Sequence, residues 1–271
     1  MLAQQQRGKL GIPVVPVFWI AGEDHDIDEI NHTFTAANGR LEKHIYGERS
    51  KRKTMASTTM LDVETTRKFI HETFMQYGET AYTGDLLAKI DAILLKSSTY
   101  TDFFVRLMNW LFKEEGLLFI DAAYSSLREY ESPYFEKIIQ NAEEIADVVT
   151  IREADLTELG YGTPIGATKE AANLFYVKDG ERFLLERHGG KFINHMANVQ
   201  FTTSEMLELA KENPTCLSNN VVTRPLMQDM VFPVLAFVGG PGELAYWSTL
   251  KDAFETLGMK VPVFVPRMNM T

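Results

Sequence analysis

The chain has 271 residues, 45% hydrophobic and 24% charged, with 37 acidic against 27 basic residues and a formal net charge of -10. That suffices for one large domain or two modest ones, and the acidic balance argues against non-specific binding to nucleic acid or an anionic membrane surface. No run approaches the roughly 20 apolar residues of a membrane span, the start lacks a signal-peptide apolar core, and the single Cys216 allows no internal disulfide; a cytoplasmic protein is expected.

Residues 1–11 read as the last turns of a helix closed by Gly8 or Gly11. The run IPVVPVFWIAG (Ile12–Gly22) is continuously apolar, which reads as a buried parallel strand. Such a strand needs a neighbour, so an earlier strand is expected to belong to the domain. Asn38-Gly39 predicts a two-residue hairpin between INHTFTAA and RLEKHIY. Apolar residues at helical spacing predict helices over Leu61–Tyr77, Leu86–Leu95 and Phe103–Phe112. LLFIDA (Leu117–Ala122) predicts a short buried strand, and Ser132-Pro133 the N-terminus of another long helical stretch. From Asn173 the runs NLFYV, RFLLER and KFINH, separated by Asp179-Gly180 and Gly189-Gly190, predict an antiparallel meander. A helix over Ser204–Glu212, capped by Thr203 or Ser204, follows. Last come a buried strand entering a glycine turn in VFPVLAFVGGPGE (Val231–Glu243), a helix over Leu244–Leu257, and the strand VPVFVP (Val261–Pro266).

The fold class implied is α/β, with strand–helix units at both ends and a mixed insertion between them; no repeat and no low-complexity linker interrupts the chain. Both edges look raw, as if the domain were cut from something longer.

Three polar clusters are candidates for chemistry. Glu23, Asp24, His25 and Asp26 follow the first strand, and in open parallel sheets ligands bind beyond the carboxyl ends of strands. Crowded ionisable groups of this kind suit metal binding or the positioning and deprotonation of an amine; equally, they suit a solvated loop with Asp26 or Asp28 capping the next helix. GGPGE (Gly239, Gly240, Gly242 and Glu243) also lies between a strand and a helix, where backbone can approach a carboxylate or phosphate. It matches no dinucleotide or Walker fingerprint, and an ordinary turn explains it as well. In SNNVVTRPLMQD, Arg224 precedes Pro225, which disfavours a helical Arg224, and with Asn219, Asn220, Thr223 and Gln228 it suits a carboxylate clamp. A surface Arg224–Asp229 pair accounts for it equally. The other histidines show no metal-ligand spacing, Cys216 has no neighbouring charge to lower its pKa, and no metal site is assigned.

Taken together, VPVFWIAGEDHDIDEIN, NLFYVKDGERFLLE, NNVVTRPLMQD and FVGGPGELAYWSTLKDAFETLGMKVPVFVPRMN, in that order along the whole chain, strongly resemble the bacillithiol biosynthesis cysteine-adding enzyme family. The resemblance implies a Rossmann-like core related to class I aminoacyl-tRNA synthetases, here residues 1–35 and 215–271, interrupted by a connective-peptide-like α+β insertion over 36–214. It implies a ligase that adds cysteine to the amino group of glucosaminyl malate, the last step of bacillithiol biosynthesis. ATP with magnesium enters by fold analogy only, the cofactor being otherwise unknown. It implies a homodimer through a C-terminal coiled coil, with no nucleic-acid or membrane partner. Family members carry a further N-terminal segment and that coiled coil, so this chain is expected to be a fragment. On this reading Glu23, Asp24, His25 and Asp26 are catalytic, one of them taking the amine proton. Asn31, Asn219, Asn220, Thr223, Arg224, Gln228, Gly239, Gly240, Gly242 and Glu243 bind substrate, Arg224 holding a malyl carboxylate. The competing expectations are an inactive truncated fragment, a metal-dependent hydrolase using the Glu23–Asp26 loop, and a binding module without turnover.

Overall fold

The computed structural model describes residues 1–37, 40–47 and 53–268, and it divides into two units, Met1–Tyr124 and Ser125–Thr271. In the first unit the order is α1 (Leu2–Leu10), β1 (Val17–Ile20), α2 (Ile27–Ile30), β2 (His32–Ala37), β3 (Arg40–Ile45), α3 (Val63–Met75), α4 (Thr83–Leu94), α5 (Tyr100–Phe112) and β4 (Leu118–Asp121). Helix α1 stops at Gly11, which adopts φ 67 and donates its N–H to Arg7 O. A β-carbon is disfavoured there, and that is why glycine ends the helix.

Strand β1 is shorter than its apolar run, because Pro13 and Pro16 cannot donate to a ladder. It pairs with β4 in parallel, Val17 opposite Leu118 and Ile20 opposite Asp121. The parallel arrangement agrees with the expectation; full burial does not. Val17 is 43% and Leu118 56% exposed, and burial is reached only at the carboxyl end, at Ile20 and Ala122. An apolar run reports hydrophobicity, not how many neighbours the strand acquires. β2 and β3 form the expected antiparallel hairpin, with Ala37 opposite Arg40; its Asn38-Gly39 turn lies outside the described residues. Helices α3 and α5 are capped by Asp62, which accepts from Thr65 N, and by Thr99, which accepts from Asp102 N. Ile90, Ile93 and Leu94 of α4 are buried.

The second unit runs α6 (Ser125–Gln140), α7 (Ala142–Glu158), β5 (Ala171–Lys178), β6 (Glu181–His188), β7 (Lys191–Asn194), β8 (Val199–Thr202), α8 (Thr203–Glu212), β9 (Leu217–Asn219), α9 (Thr223–Val231), β10 (Ala236–Gly239), α10 (Pro241–Trp247), α11 (Lys251–Thr256) and β11 (Val263–Pro266). Strands β5 to β9 make one antiparallel sheet in the order β8-β7-β6-β5-β9. The Asp179-Gly180 turn joins β5 to β6 with φ of 53° and 77°, the pair of positive values that a type I′ hairpin demands. Strands β10 and β11 pair in parallel, Ala236 opposite Val263 and Gly239 opposite Pro266.

Three expectations are corrected here. Pro133 does not open a helix: α6 begins at Ser125 and carries Pro133 in its interior. An interior proline costs about 3 kcal/mol, but Phe135, Ile138 and Ile139 beyond it are all buried, each contributing roughly 1.5–3 kcal/mol. The α8 cap is Thr202, whose hydroxyl accepts from Glu205 N while Glu205 Oε2 accepts from Thr202 N at 2.7 Å, the reciprocal capping box. The segment Leu244–Leu257 is two short helices rather than one, α10 and α11, with Thr249 and Leu250 fully buried at their junction.

Two apolar clusters hold this unit. Phe135, Ile138, Leu174, Leu185, Met206 and Leu217 pack the sheet against α6 and α8. Ile145, Val149, Leu226, Trp247, Leu250 and Phe254 pack α7 with the helices that precede and follow β10. Phe237 stacks on Trp247 at 4.3 Å, so β10 is joined to that second cluster.

Candidate functional site

In the first unit the chain leaves β1 at Ile20 and turns through Ala21–Asp26 before α2. Asp24 N–H bonds back to Ala21 O at 2.9 Å, which makes the turn tight. Glu23 is wholly buried, and Asp24 and His25 are half-buried. Asp26 is exposed, with His25 Nε2 3.8 Å from its carboxylate. Asp26 occupies the N-cap position of α2 without donating or accepting a side-chain cap bond. Asp28 instead accepts from Asn31 Nδ2 at 3.0 Å, and buried Asn31 uses its carbonyl to accept from Tyr46 N.

Sequence reasoning missed two residues that the fold brings to this turn. Ser57 N donates to Gly22 O and Ala56 N to Asp24 O, both at 2.9 Å, so the segment 56–57 lies across the loop. Ser57 Oγ then donates to Asp121 Oδ2 at 2.6 Å, and Asp121 Oδ1 accepts from Ala123 N at 2.9 Å. Gly22 is pressed into this junction: a Cβ there would overlap both Ser57 Oγ and the Asp121 carboxylate. Asp121 ends β4 directly beside the end of β1. The rule that drew attention to Glu23–Asp26, polar residues at the carboxyl end of a parallel strand, applies equally to Asp121 in LLFIDA. Ser57 carries no such signal.

The segment that delivers Ser57 is itself tied down. Leu61 N bonds to Ser98 O at 3.0 Å and Tyr100 N to Thr59 O at 3.3 Å. Behind it, Tyr100 stands edge-on to Tyr46 at 5.9 Å, and burial pushes the Tyr100 hydroxyl's pKa far up, so it stays protonated.

In the second unit, the polar residues around β9 are largely committed to the fold. Asn219 is fully buried and its carbonyl accepts from Arg182 NH2 at 2.6 Å; the Arg182 guanidinium lies 3.9 Å from the centre of the Phe175 ring. Asn220 Oδ1 accepts from Val222 N at 2.9 Å and Thr223 N at 3.1 Å, while its Nδ2 donates to Asn173 Oδ1 at 2.9 Å. Thr223, also buried, donates its hydroxyl to Asn173 O at 2.7 Å. This is how α9 is started and fastened to β5. Arg224 is half-buried and helical, contrary to the argument from Pro225, because both residues fall in the first turn, where a missing N–H costs nothing. Gln228 is half-buried on the same helix.

At the end of β10, Gly240 N donates to Glu243 Oε2 at 2.9 Å. Glu243 therefore caps its own helix. Arg267 N bonds to Gly239 O at 2.8 Å, and its guanidinium would lie 2.7 Å from a Cβ on Gly240, so a side chain there would displace the arginine. Gly242 has open space around it. Cys216 is half-buried and burial raises its pKa, in keeping with a poor nucleophile. Among the described residues no three His, Cys, Asp or Glu side chains are grouped to hold a metal ion, which the hydrolase reading would need. No helix among them is long and apolar enough to cross a membrane.

The comparisons with known proteins agree with one another. The family model described as bacillithiol biosynthesis BshC, N-terminal Rossmann-like domain, matches residues 1–268. A relative in Lysinibacillus sphaericus (strain C3-41), named "Putative cysteine ligase BshC", is 60% identical over 271 residues, covering 100% of this chain and 50% of its own. Relatives of the same name in Bacillus cereus (strain G9842) and Bacillus anthracis are 46% and 45% identical over 270 residues, again across half of their length. The chain thus spans about half the length of the curated relatives it matches, and it belongs to the bacillithiol biosynthesis BshC family, whose N-terminal Rossmann-like domain it carries.

Proposed function

We propose that this chain supplies part of a cytoplasmic ligase that joins the cysteine carboxyl group to the amino group of glucosaminyl malate, completing bacillithiol. The observation that carries the reading is the family match across residues 1–268, together with 60% identity over 271 residues to a relative named as a cysteine ligase. The finer architecture belongs to the same proposal. A core over 1–35 and 215–271, related to class I aminoacyl-tRNA synthetases, is interrupted by a connective-peptide-like insertion over 36–214, and a coiled coil in the whole enzyme forms the homodimer.

Chemically, a neutral amine attacks the carbonyl carbon of an activated cysteine carboxyl. The new C–N bond forms as the C–O bond to the activating group breaks, that group leaves with the electron pair, and the amine loses a proton. Glu23, Asp24, His25 and Asp26 provide carboxylates that attract an ammonium group and a base that accepts its proton. A turn held by backbone hydrogen bonds at a strand's carboxyl end suits that work better than a solvated loop, with the half-buried Asp24 and His25 within reach of substrate and the buried Glu23 behind them. Arg224, half-buried in the first turn of α9, is assigned to a malyl carboxylate. Asn31, Asn219, Asn220 and Thr223 then act as supports for these groups, given the hydrogen bonds they already make. The glycine turn does not fit a bound Mg-ATP by itself. Gly240 N–H is already engaged by Glu243, and among the described residues no three His, Cys, Asp or Glu side chains are grouped to hold a metal. Cysteine activation is therefore not assigned to these residues.

The test is mass-spectrometric detection of bacillithiol from cysteine and glucosaminyl malate, with and without Mg-ATP. The chain would be assayed alone and together with the remaining half of the Lysinibacillus relative, with that full-length relative as positive control. Product from the combined halves is expected, and Asp24→Ala or His25→Ala should abolish it without altering the circular dichroism spectrum. An active control beside combined halves that make nothing would sink the reading, and unchanged turnover would remove either residue from the mechanism.

A further inference from the structure

We infer that Ser57 and Asp121 are positioning residues that clamp the Gly22–Asp26 turn in its working geometry; as a statement about catalysis, this rests on the ligase reading. What holds the turn is a three-part connection between distant stretches of sequence. Backbone N–H groups of Ala56 and Ser57 donate to Asp24 O and Gly22 O, the Ser57 hydroxyl donates to Asp121, and Asp121 takes its second bond from Ala123 N. Gly22 is the complement of this clamp, because any side chain would occupy the space of the Ser57–Asp121 bond. The two backbone bonds fall on Gly22 O and Asp24 O, on either side of Glu23, so the connection fixes the backbone at the start of the Glu23–Asp26 segment.

A carboxylate at position 121 could instead act directly on substrate, and the two roles are separable. Asparagine can keep the clamp: its Oδ1 accepts from Ala123 N and its Nδ2 donates to a Ser57 hydroxyl that has reversed its role. It cannot replace a negative charge. A displaced turn should be costly, since misplacement of reacting groups by about 1 Å costs on the order of 100-fold in rate.

The experiment measures amide hydrogen exchange in the full chain, and turnover in the reconstituted ligase, for Asp121→Ala, Asp121→Asn and Ser57→Ala. Exchange at Ala56 and Ser57 should rise about tenfold or more in both alanine variants, and stay near the parent rate in Asp121→Asn. The amides of β2, β3, α3 and α5 should not change. In turnover, kcat should fall about 100-fold for Asp121→Ala with KM for cysteine unchanged, and recover in Asp121→Asn. Unchanged exchange at residues 56 and 57 in the alanine variants would overturn the clamp. Asparagine as damaging as alanine to kcat would overturn the positioning role in favour of a direct one. Should Asp121→Ala fail to fold, Ser57→Ala removes a single donor and decides the matter alone. The expected exchange pattern beside a parent protein that makes no bacillithiol would leave the clamp standing and refute the ligase reading.

Discussion

The turn after β1 and the turn after β10 begin alike, each at the end of a strand in a parallel pair and each rich in groups that suit a ligand. They are held by opposite strategies. The second closes on itself: Glu243 caps Gly240 three residues away, and Arg267 arrives from the adjacent strand end. The first is held from far along the chain, by Ser57 and Asp121. A locally capped turn forms whenever its helix forms. A turn clamped by remote residues forms only when the whole unit has folded, and its shape can be tuned without touching the side chains it carries. This contrast marks the first turn as the better place for precise positioning.

Substitutions can break or sharpen the contrast, beginning with the glycines. Gly22→Ala should destabilise the protein by about 1–3 kcal/mol, as overpacking does, whereas Gly242→Ala, with open space around it, should stay within about 0.5 kcal/mol. Urea midpoints at constant slope would show the difference, and equal effects would erase the distinction. Ser57→Ala removes one donor from a carboxylate and should cost about 1–2 kcal/mol in the same measurement. Glu243→Ala frees the helix-start N–H of Gly240, so a loss of about 0.5–1 kcal/mol is expected. The smallest effect is in pH dependence. Thr65 hydrogen bonds hold the Asp62 carboxyl, and Thr202 hydrogen bonds the Glu205 carboxyl, below their ordinary pKa values. Each therefore adds stability above the unfolded pKa and loses it as pH falls through the lower, folded value. Glu205→Gln should flatten the acid limb of the urea midpoint between about pH 5 and 3, and an unchanged limb would remove the cap from the account.

Much of the framework was legible because it is written locally. The meander was visible in Asp179-Gly180 and Gly189-Gly190, since positive φ at adjacent positions selects those residues. The amphipathic spacing of α3 to α5 was equally plain. Pro133 misled because its penalty is small beside the buried Phe135, Ile138 and Ile139 that follow it, a tertiary effect no local rule contains. The Glu23–Asp26 turn was found from its place after an apolar run, and Asp121 was open to the same logic. Ser57 was not, for nothing in TMAST distinguishes it: its role comes from bonds to residues 22 and 121, which are remote in sequence. Thr223 and Asn220 looked like ligand groups because their residue types suit both ligand contact and helix starts, and only geometry shows that Asn173 and the α9 backbone engage them.

The loop after α7 is fastened differently again. Glu153, buried on that helix, accepts from the backbone N–H groups of Ile165, Gly166 and Ala167 at 2.6, 3.0 and 2.5 Å. A carboxylate that reads only main-chain donors is indifferent to the side chains of the loop it holds. Ile165 and Ala167 answer instead to the apolar cluster against which they pack, and the left-handed Gly166, φ 68, to its own backbone. The backbone path of that loop is thus set by one helical residue twelve positions upstream of Ile165, and a change at Glu153 would be felt there before anywhere in its own helix.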